Sequence, residues 1–133
     1  MDLAKYRALF LEEATEHLAE MSRACLALEK DPRNAEAIDL VFRAAHSIKG
    51  MAASLDYESV TQLAHRLEDR MTVWRDAGRI DVPEGMRLLF LGLEGLERMV
   101  AAVRAGDESP APDDALLREL SAPRAAGAAP KKA

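Results

Sequence analysis

Aromatic side chains are scarce in this chain, cysteine occurs once, and no apolar run approaches the roughly 20 residues needed to cross a bilayer. Each shortage removes a class of protein. Aromatics at 5% and the lack of any sustained period-two alternation speak against a sheet, whereas abundant aliphatic residues, Ala and Met suit packed helices. Cys25 has no partner for an internal disulfide, so a reducing, cytoplasmic setting is expected. Its helical spacing from Met21 and Leu28 predicts a buried thiol rather than a redox centre. Basic charge is not in excess either: a net charge of −5 argues against a nucleic-acid partner, which normally selects a basic face. The opening Met1-Asp2-Leu3-Ala4-Lys5-Tyr6 lacks the basic-then-apolar layout of a signal peptide. No GxxxxGK loop or glycine-rich kinase signature occurs, so this segment is not expected to be an enzyme on its own.

What is present is helical periodicity. At 133 residues the chain fits one domain able to bury a core unaided. Leu3, Tyr6, Phe10, Ala14, Leu18, Met21, Cys25 and Leu28 form one stripe, ended by Lys30-Asp31-Pro32-Arg33-Asn34. Pro32 cannot continue that helix and Asn34 can cap the next. A second stripe holds Ile38, Val41, Phe42, Ala45, Ile48, Ala52 and Leu55; a third holds Val60, Leu63, Ala64, Leu67, Met71 and Trp74 and ends near Gly78. Pro83 is placed in the first turn of a fourth, with Met86, Leu89, Phe90, Leu93, Leu96, Val100 and Val103. After a turn-rich break over 106–112, Asp113-Asp114 leads a short apolar helix through Leu116, Leu117 and Leu120. Short connections between the long helices predict an all-α, up-down-up-down antiparallel four-helix bundle with a short fifth C-terminal helix. This domain is expected over residues 1–120. Residues 121–133, rich in Ala and Pro with nothing to bury, are expected to form a flexible linker or tail.

The chemistry concentrates in Ala44-Ala45-His46-Ser47-Ile48-Lys49-Gly50. An imidazole, with an ordinary pKa of about 6.5, is a nucleophile that works near neutral pH. At roughly 100° per residue, His46 lies roughly 120° from the core line through Val41, Ala45, Ile48 and Ala52, and Lys49 roughly 60°. A lone helical histidine is usually a hydrogen-bonded core residue, but this angle turns His46 outward. Lys49, at i+3, is within reach of an anion attached to the ring. Gly50, at i+4, costs about 1 kcal/mol of helix propensity and is expected only where a side chain would obstruct something. The group reads as an exposed histidine built to carry a phosphoryl group.

On the third stripe Thr61, His65, Glu68 and Thr72 fall on one flank, displaced in the same rotational sense as His46 and Lys49. Antiparallel neighbours with such flanks place them either in one shared groove or on opposite outer sides, and periodicity does not choose. In a shared groove Glu68 would fix the imidazole tautomer and Lys49 would offset phosphoryl charge. The ordinary alternative for Glu68 is a surface acid paired with Arg66 or Arg75.

Phe42-Arg43-Ala44-Ala45-His46-Ser47-Ile48-Lys49-Gly50 and His65-Arg66-Leu67-Glu68 resemble the histidine phosphotransfer family, and within it the N-terminal phosphotransfer domains of chemotaxis kinases of the CheA type. Phe10-Leu11-Glu12-Glu13-Ala14 is similar to their first helix, and the resemblance spans roughly residues 3–120. It implies that His46 is the phosphoacceptor, Glu68 its hydrogen-bonding partner, and Lys49 and His65 a supporting polar shell. It also implies a docking face at Arg43, Ser47, Gly50 and Met51. The implied partners are an ATP-binding histidine kinase catalytic domain, in the same polypeptide or its dimer mate, and response regulators of the CheY or CheB type. ATP and Mg would be held by the kinase domain and Mg by the regulator, leaving this domain without a cofactor. Met51 and Asp56-Tyr57 depart from the pattern, which often has small residues and a glycine there; Asp still tolerates a left-handed turn.

Other readings remain at this point. A free-standing or hybrid-kinase phosphotransfer protein of a multistep relay would carry the same motif. A purely structural helical adaptor would leave Gly50 without a reason. A His-Asp metal hydrolase is disfavoured because none of His17, His46 and His65 has an adjacent aspartate. His17, near the first core stripe, reads as a packing or surface residue. Insertion of the first helix into a membrane is disfavoured by its acidic polar face.

Overall fold

Local signals set where each helix begins and ends. In the computed structural model, which describes residues 2–121, α1 (Leu3–Lys30) starts where the Asp2 side chain accepts from the Lys5 N–H, and stops at Asp31, just before Pro32. The Asn34 side chain accepts the Ala37 N–H at 3.0 Å and opens α2 (Ala35–Ser54). Gly78, at φ 80°, closes α3 (Glu58–Ala77) with its N–H on the carbonyls of Trp74 and Arg75. Then follow α4 (Glu84–Arg104) and the short α5 (Asp114–Ser121). Pro83 stands one residue earlier than the sequence suggests, at the cap position of α4 rather than inside its first turn. Ser121, expected to begin the linker, closes α5; the rest of the expected linker lies outside the described residues.

α1 packs on α2 and α4, α3 packs on the same two helices, and α5 lies against α3 and α4. Two contacts at opposite ends show that neighbours run antiparallel. The Ile80 N–H donates to the Pro32 carbonyl at 2.9 Å, tying the α3–α4 connection to the α1–α2 connection. At the far end the Arg7 guanidinium donates to the Val103 carbonyl at 2.6 Å, joining the start of α1 to the finish of α4. The result is the expected up-down-up-down bundle with a fifth helix, and no strand occurs among the described residues.

The apolar stripes meet in one core that includes Phe10, Met21, Ile48, Leu67, Leu89 and Leu96. Cys25 is fully buried there, and burial pushes its thiol up to about 12. Leu3 and Tyr6, which share the first stripe, are exposed instead. α1 has 28 residues against 20 in α2, so its first turns have little opposite them to cover. Phe42, Leu55 and Phe90 are only partly buried.

The α2–α3 corner fixes how the two site-bearing helices face each other. Asp56 takes the left-handed conformation, φ 61°, as its tolerance for that region allows. The Tyr57 N–H then reaches back to the Ala52 carbonyl at 2.9 Å, and the Tyr57 ring packs 5.0 Å from Phe10 on α1. The corner is therefore held by both backbone and core.

Among the described residues two charged side chains are buried, and Arg70 lies the deeper of them. Arg70 of α3 is buried, with Nε donating to the Leu120 carbonyl at 3.0 Å and an Nη to the Glu119 carbonyl at 3.2 Å. A guanidinium thus caps the C-terminal end of α5, where backbone carbonyls lack helical partners and a cation is favoured. Arg70→Ala should cost about 1.5–3 kcal/mol of stability, the range for hydrogen bonds to a charged group. Hydrogen exchange should accelerate over 114–121 while α2 and α3 stay protected; unchanged exchange in α5 would show that Leu116 and Leu120 hold it alone.

Candidate functional site

His46 projects from the middle of α2 and its side chain is 63% exposed, as the helical angle requires. Its Nδ1 lies 2.5 Å from Oε2 of Glu68 on α3, and the Lys49 ammonium donates to the other oxygen, Oε1, also at 2.5 Å. The flanks of α2 and α3 therefore share one groove, which resolves the choice left open by periodicity. Glu68 is paired across the groove, and neither Arg66 nor Arg75 is its partner.

The carboxylate is the buried member of the trio. Its side chain is 11% exposed, against 27% for Lys49. Burial alone would favour its neutral form. The hydrogen bonds and positive charge supplied by Lys49 and His46 outweigh that effect and hold its carboxyl below the usual range. An ionised carboxylate only accepts, so the proton between the two groups belongs to Nδ1. In the neutral ring this leaves the Nε2 lone pair unprotonated and pointing away from Glu68. The Thr72 hydroxyl donates to the Glu68 backbone carbonyl at 3.1 Å, one turn along α3.

The structure brings together three of the four polar residues singled out from the sequence. The fourth, His65, places Nε2 3.6 Å from Asp69 Oδ2 on its own helix. Lys49 is committed to Glu68 rather than free in the groove. His17 is half-buried and pairs with Glu20 at 3.6 Å. On the outer surface of α2, Arg43 Nε binds Asp39 Oδ2 at 2.7 Å, Ser47 and Met51 are half-buried, and Gly50 is exposed. A Cβ built on Gly50 meets nothing within 4 Å. Packing within this protein therefore does not account for the glycine.

Two contacts beside the histidine were not read from the sequence. Phe42, one turn before His46, lies nearly parallel to the imidazole with 6.4 Å between ring centroids and 17° between planes. Arg75 of α3 places its guanidinium carbon 4.0 Å from the Phe42 ring centroid and Nη1 3.5 Å from Asp39 Oδ1. The i−4 spacing of Phe42 from His46 carried a signal for the first contact. Arg75, considered from the sequence only as an alternative partner for Glu68, reaches Phe42 and Asp39 instead, a contact between helices that spacing along one helix does not give.

This geometry agrees with comparison to known proteins. The chain is 34% identical over 108 residues to chemotaxis protein CheA of Bacillus subtilis, covering 81% of this chain but 16% of that protein. It thus spans about a sixth of the length of the curated relatives it matches. Among solved structures, the CheA phosphotransferase domain from Thermotoga maritima is 30% identical with a TM-score of 0.70, covering 78% of this chain and 98% of that one. The phosphorylated P1 domain of CheA3, in complex with CheY6 from R. sphaeroides, is 28% identical with a TM-score of 0.74, covering 87% and 92%. Residues 5–106 match the Hpt domain model, and on these grounds the chain belongs to the Hpt domain family.

Proposed function

We propose that this domain is the phosphoryl carrier of a chemotaxis histidine kinase and that His46 Nε2 is the atom that carries the group. The observation that supports this most directly is the His46–Glu68 pair: one ring nitrogen is bound to an ionised carboxylate while the other faces solvent. In the forward step Nε2 attacks the γ-phosphorus of ATP held by a separate catalytic domain. An N–P bond forms, the bond to the bridging oxygen breaks, and ADP leaves with that electron pair. The ring becomes a phosphoimidazolium whose positive charge, on the Nδ1–H side, faces Glu68. In the second step a regulator aspartate oxygen takes the phosphorus, the N–P bond breaks, and its electron pair returns to Nε2.

Lys49 supports both steps from its place beside the ring. Its ammonium has three donors, and Glu68 Oε1 uses one, which leaves others for phosphoryl oxygens. Such charge offset is the main help a protein gives this reaction. His65, tied to Asp69, adds polarity at the edge of the groove. Arg43, Ser47, Gly50 and Met51 form the docking face, with Gly50 giving clearance to whatever approaches His46. The likeness to a phosphorylated P1 domain in complex with CheY6 supports a response regulator of that type as recipient. The relatives' names support a parent protein of chemotaxis; on our reading that parent is a histidine kinase that holds ATP and Mg in another domain, while this domain works without a cofactor. No helix among the described residues is long and apolar enough to cross a membrane, which is compatible with a cytoplasmic setting.

His46→Gln should keep the helical circular dichroism and abolish acid-labile phosphate incorporation from ATP and the catalytic domain; label persisting on the variant would refute the site. Glu68→Gln should slow phosphorylation by about 10–100-fold, as loss of an oriented, charge-stabilising partner does, and an unchanged rate would remove Glu68 from the mechanism. The same variant has a pH signature. Glu68 is held below its ordinary value of 4.5 in the folded state, so on acidification the unfolded chain takes up the proton first. The contribution of the trio is therefore complete above pH 4.5 and is lost as pH falls through the folded value. Wild type should exceed Glu68→Gln by about 1–3 kcal/mol at pH 7, and the gap should close on acid titration of stability. Gly50→Ala should raise stability by about 1 kcal/mol through helix propensity yet slow phosphotransfer. Faster or unchanged transfer would end the clearance role.

A further inference from the structure

We infer that Phe42 and Arg75 are positioning residues that set the plane of the His46 ring. The inference rests on His46 being the phosphoacceptor, and it concerns how that ring is aimed. An imidazole 63% exposed on a helix surface has few neighbours to restrict its rotamers. The hydrogen bond to Glu68 fixes where Nδ1 sits, but a single bond leaves the ring free to tilt about the Nδ1···Oε2 line. Tilting swings the direction in which the Nε2 lone pair points, and that direction is what attack depends on. Phe42 supplies the missing restraint. Its ring lies within 17° of parallel to the imidazole, at a centroid separation of 6.4 Å that suits offset stacking.

Phe42 is itself only partly buried, so it needs an anchor. Arg75 provides it by spanning from α3, with its guanidinium carbon 4.0 Å from the phenyl centroid, well inside the cation–π range of about 6 Å. Arg75 is steadied in turn by Asp39 of α2 at 3.5 Å, and the other oxygen of that carboxylate holds Arg43 at 2.7 Å. The result is a second α2–α3 crosslink running parallel to the His46–Glu68–Lys49 link. Glu68 sets the height and tautomer of the imidazole, and the Asp39–Arg75–Phe42 chain sets its tilt. A phosphoryl acceptor benefits from both, since in-line attack demands a defined approach direction.

The test measures the ring and the reaction separately in the domain, using Phe42→Leu, which keeps apolar bulk without a π face, Phe42→Tyr, which restores the face, and Arg75→Gln. Side-chain coupling constants and 15N shifts of His46 read its rotamer distribution and tautomer by NMR. Single-turnover phosphorylation by the catalytic domain and ATP reads the rate against domain concentration. Phe42→Leu should spread the His46 rotamers while preserving the tautomer set by Glu68, and should lower the maximal rate by about 3–10-fold, a range set by lost orientation, with half-saturation unchanged. Phe42→Tyr should return both readouts to wild type, and Arg75→Gln should shift them in the direction of Phe42→Leu by a smaller factor. His46 couplings that stay at wild-type values in Phe42→Leu would overturn the inference. So would an Arg75→Gln effect confined to half-saturation and abolished by salt, which marks a direct contact with the partner. Failure of wild type to take label on His46 would instead sink the carrier assignment, and the coupling constants would still report whether Phe42 restrains the ring.

Discussion

One carboxylate organises the site. Glu68 is covered by the bundle and still charged, a state that costs free energy unless cations and donors surround it. Lys49 and His46 are those groups, one on each oxygen. Removal of the carboxylate would free the imidazole proton to occupy either nitrogen and leave the ammonium without its counter-ion. Tautomer, ring placement and local charge are thus consequences of one buried ionisation on the helix opposite the histidine.

The bundle's architecture makes that ionisation possible. Glu68 and His46 belong to consecutive helices, so the corner at Leu55–Tyr57 and the packing of α2 on α3 together bring them into one groove. Asp56 in the left-handed region turns the chain, and Tyr57 packs against Phe10 at the start of α3. Elsewhere the interior is apolar apart from Arg70 at its α5 end. The chemistry occupies the outer seam between two helices and takes nothing from the core, a division that lets the same scaffold tolerate change on its surface.

Much of this was legible in the residues. The third stripe, Val60 to Trp74, is buried as its spacing requires, and the outward angle of His46 is borne out by its exposure. The failures have physical causes. Periodicity knows nothing of what lies opposite, so Leu3 and Tyr6, on the overhanging end of the longest helix, keep the pattern of a core without being in one. Helical angles place a side chain on a flank and do not say which charge it will find there. The contacts of Lys49 with Glu68 and of His65 with Asp69 are accordingly details that the stripes do not show, and they leave the roles read for both residues as they were. Arg70 shows the same limit, since its burial depends on carbonyls some 50 positions away at the close of α5. The Arg75–Phe42 contact likewise crosses between helices.

Cys25 has a practical meaning. A thiol held in its protonated form and sealed against solvent gives oxidants and alkylating agents no nucleophile. The same seal makes the lone sulfur an intrinsic reporter of breathing: a thiol reagent gains access only when the helices part, so its reaction clock counts openings of the interior without any label being introduced.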